Sequence, residues 1–185
     1  MISRDDADGL LKKYVTNERM LNHCYASEVV MRAIARRLGE DEEKWGIAGL
    51  LHDIDIEVTE ADLNRHGLEA RKILADKDVD PDIIDAIIMH NETASGKKRQ
   101  TKFQHALAAG ETITGLIIAT ALVYPDKKLT SVKTKSVTKR MKEKAFAASV
   151  NRDYIMECEI IGIPLPEFAE LAINAMREIS DTLGL

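Results

Sequence analysis

The sequence predicts an all-α fold, one helical bundle formed by residues 1–185, and three observations carry that expectation. Apolar residues recur at helical spacing in nearly every segment. Helix starts and stops punctuate the chain, as at Asn17, Gly39 and the Asp80-Pro81 pair. No alternating strand pattern of useful length and no internal repeat interrupts them.

Ser3 is placed to cap a first helix running to about Val15, with Leu10, Leu11 and Tyr14 on its apolar side. Asn17 caps a second, from Glu18 to Leu38, which Gly39 ends. Asp41 precedes Glu-Glu-Lys-Trp, an acidic first turn suited to the helix dipole, and this third helix carries Gly46 to His52. After a polar loop, a helix is expected near Arg65 to Ala75. Asp80-Pro81 opens the next, through Ile83, Ile84, Ile87 and Ile88 to His90. Asn91 to Gln100 is polar, contains Gly96 and reads as a loop. A long apolar helix from about Phe103 to Leu122 stops before Pro125, and a lysine-rich connection spans Asp126 to Lys144. Helices around Arg152 to Ile161 and from beyond Pro166 to about Leu183 complete the chain, with a break from Gly162 to Pro166.

A chain of 185 residues that is 45% hydrophobic buries a full core without staples. Aromatics are only 4%, so aliphatic side chains must build that core. The net charge of −5 argues against a stable nucleic-acid complex. Two cysteines make no disulfide framework, and Cys24 is expected to be a buried, inert thiol. No signal-like N-terminus is evident, and the apolar stretch Leu116 to Tyr124 is too short for a membrane span. A cytoplasmic protein without membrane contact is the expectation, and a homodimer is left open.

The segment Gly46 to Glu57 is the most informative. Its small and apolar run ends in His52-Asp53, followed by Asp55 and Glu57. An imidazole and carboxylates at the end of a buried helix cost free energy unless a cation meets them there. A metal ion is the simplest such cation. His23, His66 and His90 lie in or beside other helices, which a bundle can converge on one centre. Glu111 is the only acidic residue between Glu92 and Asp126, on an otherwise apolar helix, and needs a partner: a metal, a lysine or solvent.

The order His23, His52-Asp53 and a late acid resembles the HD-domain superfamily of metal-dependent phosphohydrolases. Gly49-Leu50-Leu51-His52-Asp53-Ile54-Asp55 is similar to its HDIG-type members. Ala86 to Asn91 and Ala106 to Leu116 are similar to small HD hydrolases without assigned substrates. The distal aspartate of that pattern is replaced here by Gly110 and Glu111. The resemblance implies one metal on His23, His52, Asp53 and Glu111, and a second on His66 and His90 with Asp53 bridging. Mixed imidazole and carboxylate ligation suits Fe, Mn, Co, Ni or Zn. His105 has no part in the pattern and is read as structural.

The implied activity is hydrolysis of a small phosphorylated molecule or nucleotide by metal-activated water. Asp53 would orient the nucleophile. Asp55 or Glu57 would protonate the leaving group, unless they are caps or loop residues. Lys98 and Arg99, with the lysines from Lys127 to Lys144, are candidates for a phosphate-binding rim. Two other activities remain open: a di-iron oxygenase of the same superfamily, and a catalytically impaired module that binds metal or nucleotide.

Overall fold

The computed structural model describes residues 1–185. Eleven α-helices and one 3-10 turn make up its regular structure, and the fold is all-α. The helices are α1 (Arg4–Tyr14), α2 (Glu18–Leu38), α3 (Glu42–Leu51), α4 (Leu68–Leu74), α5 (Pro81–His90), α6 (Glu92–Ser95), α7 (Lys102–Leu122), α8 (Thr134–Arg140), α9 (Arg152–Ile160), α10 (Leu165–Arg177) and α11 (Ser180–Leu183). Side-chain caps fix most of the starts. Ser3, Asn17, Asp41, Asp80 and Asn151 each accept from a backbone N–H in the first turn. Thr101 and Gln104 form a reciprocal capping box that starts α7 at Lys102.

The two 21-residue helices, α2 and α7, pack on one another at the centre. Against α2 lies α3, at a separation that only glycine permits. A Cβ on Gly49 would stand 2.5 Å from the Ser27 carbonyl oxygen and 3.0 Å from the Glu28 Cα. Helices α5 and α9 pack on α7, and α10 crosses α2. A single cluster of 43 buried hydrophobic residues runs through all of these, almost entirely aliphatic as the composition requires.

Three differences from the sequence expectations have physical causes. The helix expected from Arg65 begins only at Leu68, because residues 52–67 wind as tight turns around the Asp55 carboxylate. The lysine-rich connection folds, with Leu129, Val132 and Val137 buried and Lys133, Lys135 and Lys139 outside. Helix α10 starts at Leu165 inside the expected break, since Pro166 falls in its first turn, where a missing N–H costs nothing. By length and composition α7 could cross a membrane. Here 13 of its 21 residues are buried against other helices, as in the core helix of a globular domain.

Candidate metal centre

His52 and Asp53 follow directly on the C-terminal end of α3, so the close α2–α3 packing brings them beneath the N-terminal half of α2, where His23 projects. His90 is the last residue of α5, and His66 the last but one before α4. The structure thus draws four imidazoles and one carboxylate from four separate segments to one buried point. The Nε2 atoms of His23 and His52 are 3.1 Å apart, and those of His66 and His90 are 2.9 Å apart. Asp53 lies between the two pairs. Its Oδ2 is 3.6 Å from His23 and 3.5 Å from His52, while its Oδ1 is 3.0 Å from His66 and 3.7 Å from His90. Two ligand triads result, His23-His52-Asp53 and Asp53-His66-His90, each with its donor atoms within 4.8 Å of one another.

The Nδ1 partners decide what the four Nε2 atoms can do. His52 Nδ1 donates to the Gly49 carbonyl at 2.8 Å, and His90 Nδ1 to the Ile87 carbonyl. His66 Nδ1 donates to Asp55 at 2.7 Å. The Thr114 hydroxyl spends its proton on the Glu111 carbonyl, so it accepts from His23 Nδ1 at 3.0 Å. In the neutral rings every Nε2 is therefore a bare lone pair aimed at the centre. Lone pairs facing each other at such distances repel unless a cation sits among them, and the donor set fits divalent metal.

Electrostatics agree with that requirement. Burial pushes the His52 imidazolium down to about 3 and lowers His23 as well. Burial would also lower His66, but the carboxylates of Asp53 and Asp55 outweigh it and raise His66 to about 10. Asp53 is buried too, yet the surrounding imidazoles hold its carboxyl well below the usual range.

Glu111 stands at the edge of the first triad, with Oε2 3.7 Å from His23 Nε2. Gly110 cannot fill that role, because its Cα faces α2, where a Cβ would meet Met31 at 2.9 Å and Ile34 at 3.0 Å. Burial raises the Glu111 carboxyl to about 8; the Thr112 hydroxyl opposes that shift and the Asp53 charge reinforces it. His23 and Glu111 line a cavity of about 270 Å³ together with Thr112, Ser149, Asn151 and Tyr154.

Five sequence assignments need correction. Asp55 is not a free acid. It is fully buried, and it accepts from His66 Nδ1 and from the N–H groups of Gly67 and Ala70, at 2.7 and 2.9 Å. It orients His66 and caps α4. Glu57 accepts from the N–H groups of Thr16 and Asn17 at 2.8 and 2.7 Å, holding the turn before α2. Lys98 is exposed and paired with Glu92 at 2.6 Å, away from the cavity. Arg99 is buried instead of lining a rim. Its guanidinium grips Glu157 and donates to the carbonyls of Met89 and His90, closing the end of α5. None of the lysines from Lys127 to Lys144 lines the cavity.

Other residues of the site escaped the sequence reading. Thr114 sets the tautomer of His23, and Asn91 donates to the carbonyls of Leu63 and His66. Glu157 joins Arg99 to His105, whose Nδ1 lies 2.7 Å away, giving that histidine its structural place. Asn91, directly after His90, was the one with a visible signal.

The profile of the HD domain matches residues 20–122, which is more than half of the chain and spans every proposed ligand. This protein belongs to the HD-domain family. No curated protein and no solved structure matches it. HD domains bind divalent metals, and the two triads of this one share a carboxylate.

Proposed function

We propose that this HD domain is a metal-dependent phosphohydrolase that cleaves a small phosphorylated substrate at a two-ion centre. One observation carries the reading: each oxygen of Asp53 faces a different histidine pair, as a bridging carboxylate does. His23, His52, Asp53 and Glu111 would hold one ion, and Asp53, His66 and His90 the other. Divalent ions bound there supply an acidified water and positive charge for phosphoryl oxygens.

The chain itself supplies the positioning. Gly49, Ile87, Asp55 and Thr114 lock the four imidazoles with Nε2 inward, so no ring need turn when ligands bind. The cavity over His23 and Glu111 gives the centre an approach from solvent. A substrate entering there would bring its phosphoryl group to the side of the centre marked by His23 and Glu111 and leave its organic part against Asn151 and Tyr154.

The test is a screen of phosphoesters and nucleotides with verified metal loading, beside His52→Ala and Asp53→Ala. Turnover in the parent that disappears in both variants supports the reading; activity surviving in them removes it. A second reading, the di-iron oxygenase, draws on four imidazoles to one bridging carboxylate, a set that suits iron. Turnover that requires both iron and oxygen, with no phosphate released, would favour it.

A further inference from the structure

The cavity over the metal centre has a charge pattern that bears on the substrate. Among its lining residues Glu111 is acidic and none is lysine or arginine. The nearby cations are committed elsewhere: Lys98 to Glu92 on the surface, Arg99, with 1% of its side chain exposed, to Glu157 and two carbonyls, and Arg152, next to Asn151, to the carbonyls of Ala147, Val150 and Phe146. From this we propose that the substrate is a phosphomonoester of a small, neutral, hydroxylated alcohol, and that nucleoside di- and triphosphates are excluded. The inference rests on the phosphohydrolase reading and narrows it.

Charge balance is the first argument. Two divalent ions bring four positive charges, and the carboxylates of Asp53, Glu111 and Asp55, the last facing His66, offset three of them, while neutral imidazoles offset none. The remainder is spent on the first phosphoryl group, since a phosphomonoester is close to a dianion at neutral pH with its second pKa about 6. A further phosphate on the same substrate would have to lie in the cavity, beside neutral groups and the Glu111 carboxylate. Such a charge is left desolvated and unpaired.

The walls supply the second argument. Thr112, Ser149, Asn151 and Tyr154 present hydroxyl and amide groups. The Asn151 Oδ1 is taken by the N–H groups of Asp153 and Tyr154, which leaves its NH2 free to donate. The Arg99 guanidinium stacks on the Tyr154 ring, 4.2 Å from its centroid. Donors and acceptors of this kind recognise hydroxyl groups. The volume of about 270 Å³ accommodates a compact alcohol.

The experiment uses the full chain with its metal content verified. Turnover of glycerol 3-phosphate and a hexose 6-phosphate is compared with that of AMP, ADP and ATP. Calorimetry on the same protein measures binding of the phosphonate analogue of glycerol 3-phosphate and of α,β-methylene-ADP, a readout independent of catalysis. The small phosphomonoesters should exceed ADP and ATP in kcat/KM by about tenfold or more, and the small phosphonate should bind more tightly than the diphosphate analogue. Ser149→Arg, which adds a cation at the exposed rim, should improve binding of α,β-methylene-ADP by about threefold, the scale of one solvent-exposed ion pair. Equal or better binding or turnover of the di- and triphosphates by the parent protein overturns the inference and leaves the phosphohydrolase reading standing. If the metal-loaded protein neither binds nor cleaves any phosphorylated compound, that reading falls and this inference with it.

Discussion

Asp55 shows how much the role of one carboxylate depends on what surrounds it. An acid two residues beyond a ligand reads naturally as a proton donor, yet here both oxygens are occupied by N–H donors and the group never meets the cavity. Replacing it by asparagine keeps one acceptor and turns the other toward the Gly67 and Ala70 N–H groups as an NH2, donor against donor. His66 then loses its fixed orientation. Asp55→Asn should weaken metal binding at the His66-His90 triad by about 10- to 100-fold, the range for partners of metal-bound histidines, while the other triad stays loaded. Metal content after dialysis, with calorimetric titration, measures this. Full loading combined with lost turnover would restore Asp55 as a proton donor.

Between elements, the controlling contact is the approach of α2 to α3. Gly49 sits on the Ser27 and Glu28 backbone, and its own carbonyl receives the His52 Nδ1 proton. Gly49→Ala must push the helices apart, since backbone cannot move aside as a side-chain tip can. A cost of about 1–3 kcal/mol is expected, as for overpacked cores, together with weaker metal binding because His52 moves with α3. Denaturant unfolding of the metal-free protein, where a neutral result would discredit the close-packing account, provides the check. The turn into α2 depends on Glu57. Backbone N–H groups of Asn17 and Thr16 lower the Glu57 carboxyl below its ordinary value of 4.5. A lowered acid stabilises the fold above its unfolded pKa and loses that contribution as pH falls through its folded value. Glu57→Gln should therefore lower the melting temperature at pH 7, with the deficit shrinking below pH 4.5, and leave turnover intact. A pH-independent deficit would contradict the assignment.

Over the whole molecule, the residues legible in the sequence were those whose chemistry conflicts with their setting. Imidazoles beside apolar helix faces and one acid on an apolar helix stood out, and the structure brings His23, His52, Asp53, His66, His90 and Glu111 together. The helix starts were legible because caps are local. Arg99 and Lys98 were misread because a basic dipeptide does not reveal its partners, and the partner of Arg99 is Glu157, 58 positions away. The same convergence determines how the molecule responds to metal and pH. Without metal, His66 is raised to about 10 and Glu111 to about 8, so both carry protons at pH 7. Metal ligands must be deprotonated, so loading both ions at that pH should release about two protons. The sign for stability follows from the same shifts. His66, a base raised above 6.5, stabilises the metal-free fold at low pH and loses that contribution as pH rises toward 10. Glu111, an acid raised above 4.5, adds a penalty that grows between that pH and about 8. Both weaken the metal-free protein as pH rises, while metal binding strengthens as its competitor protons leave. The gap in melting temperature between loaded and metal-free protein should therefore widen from pH 6 to pH 9. At pH 7, calorimetry in buffers of different ionisation enthalpy should count the released protons. No proton release, or a gap that narrows with pH, would mean that these groups do not receive the ions.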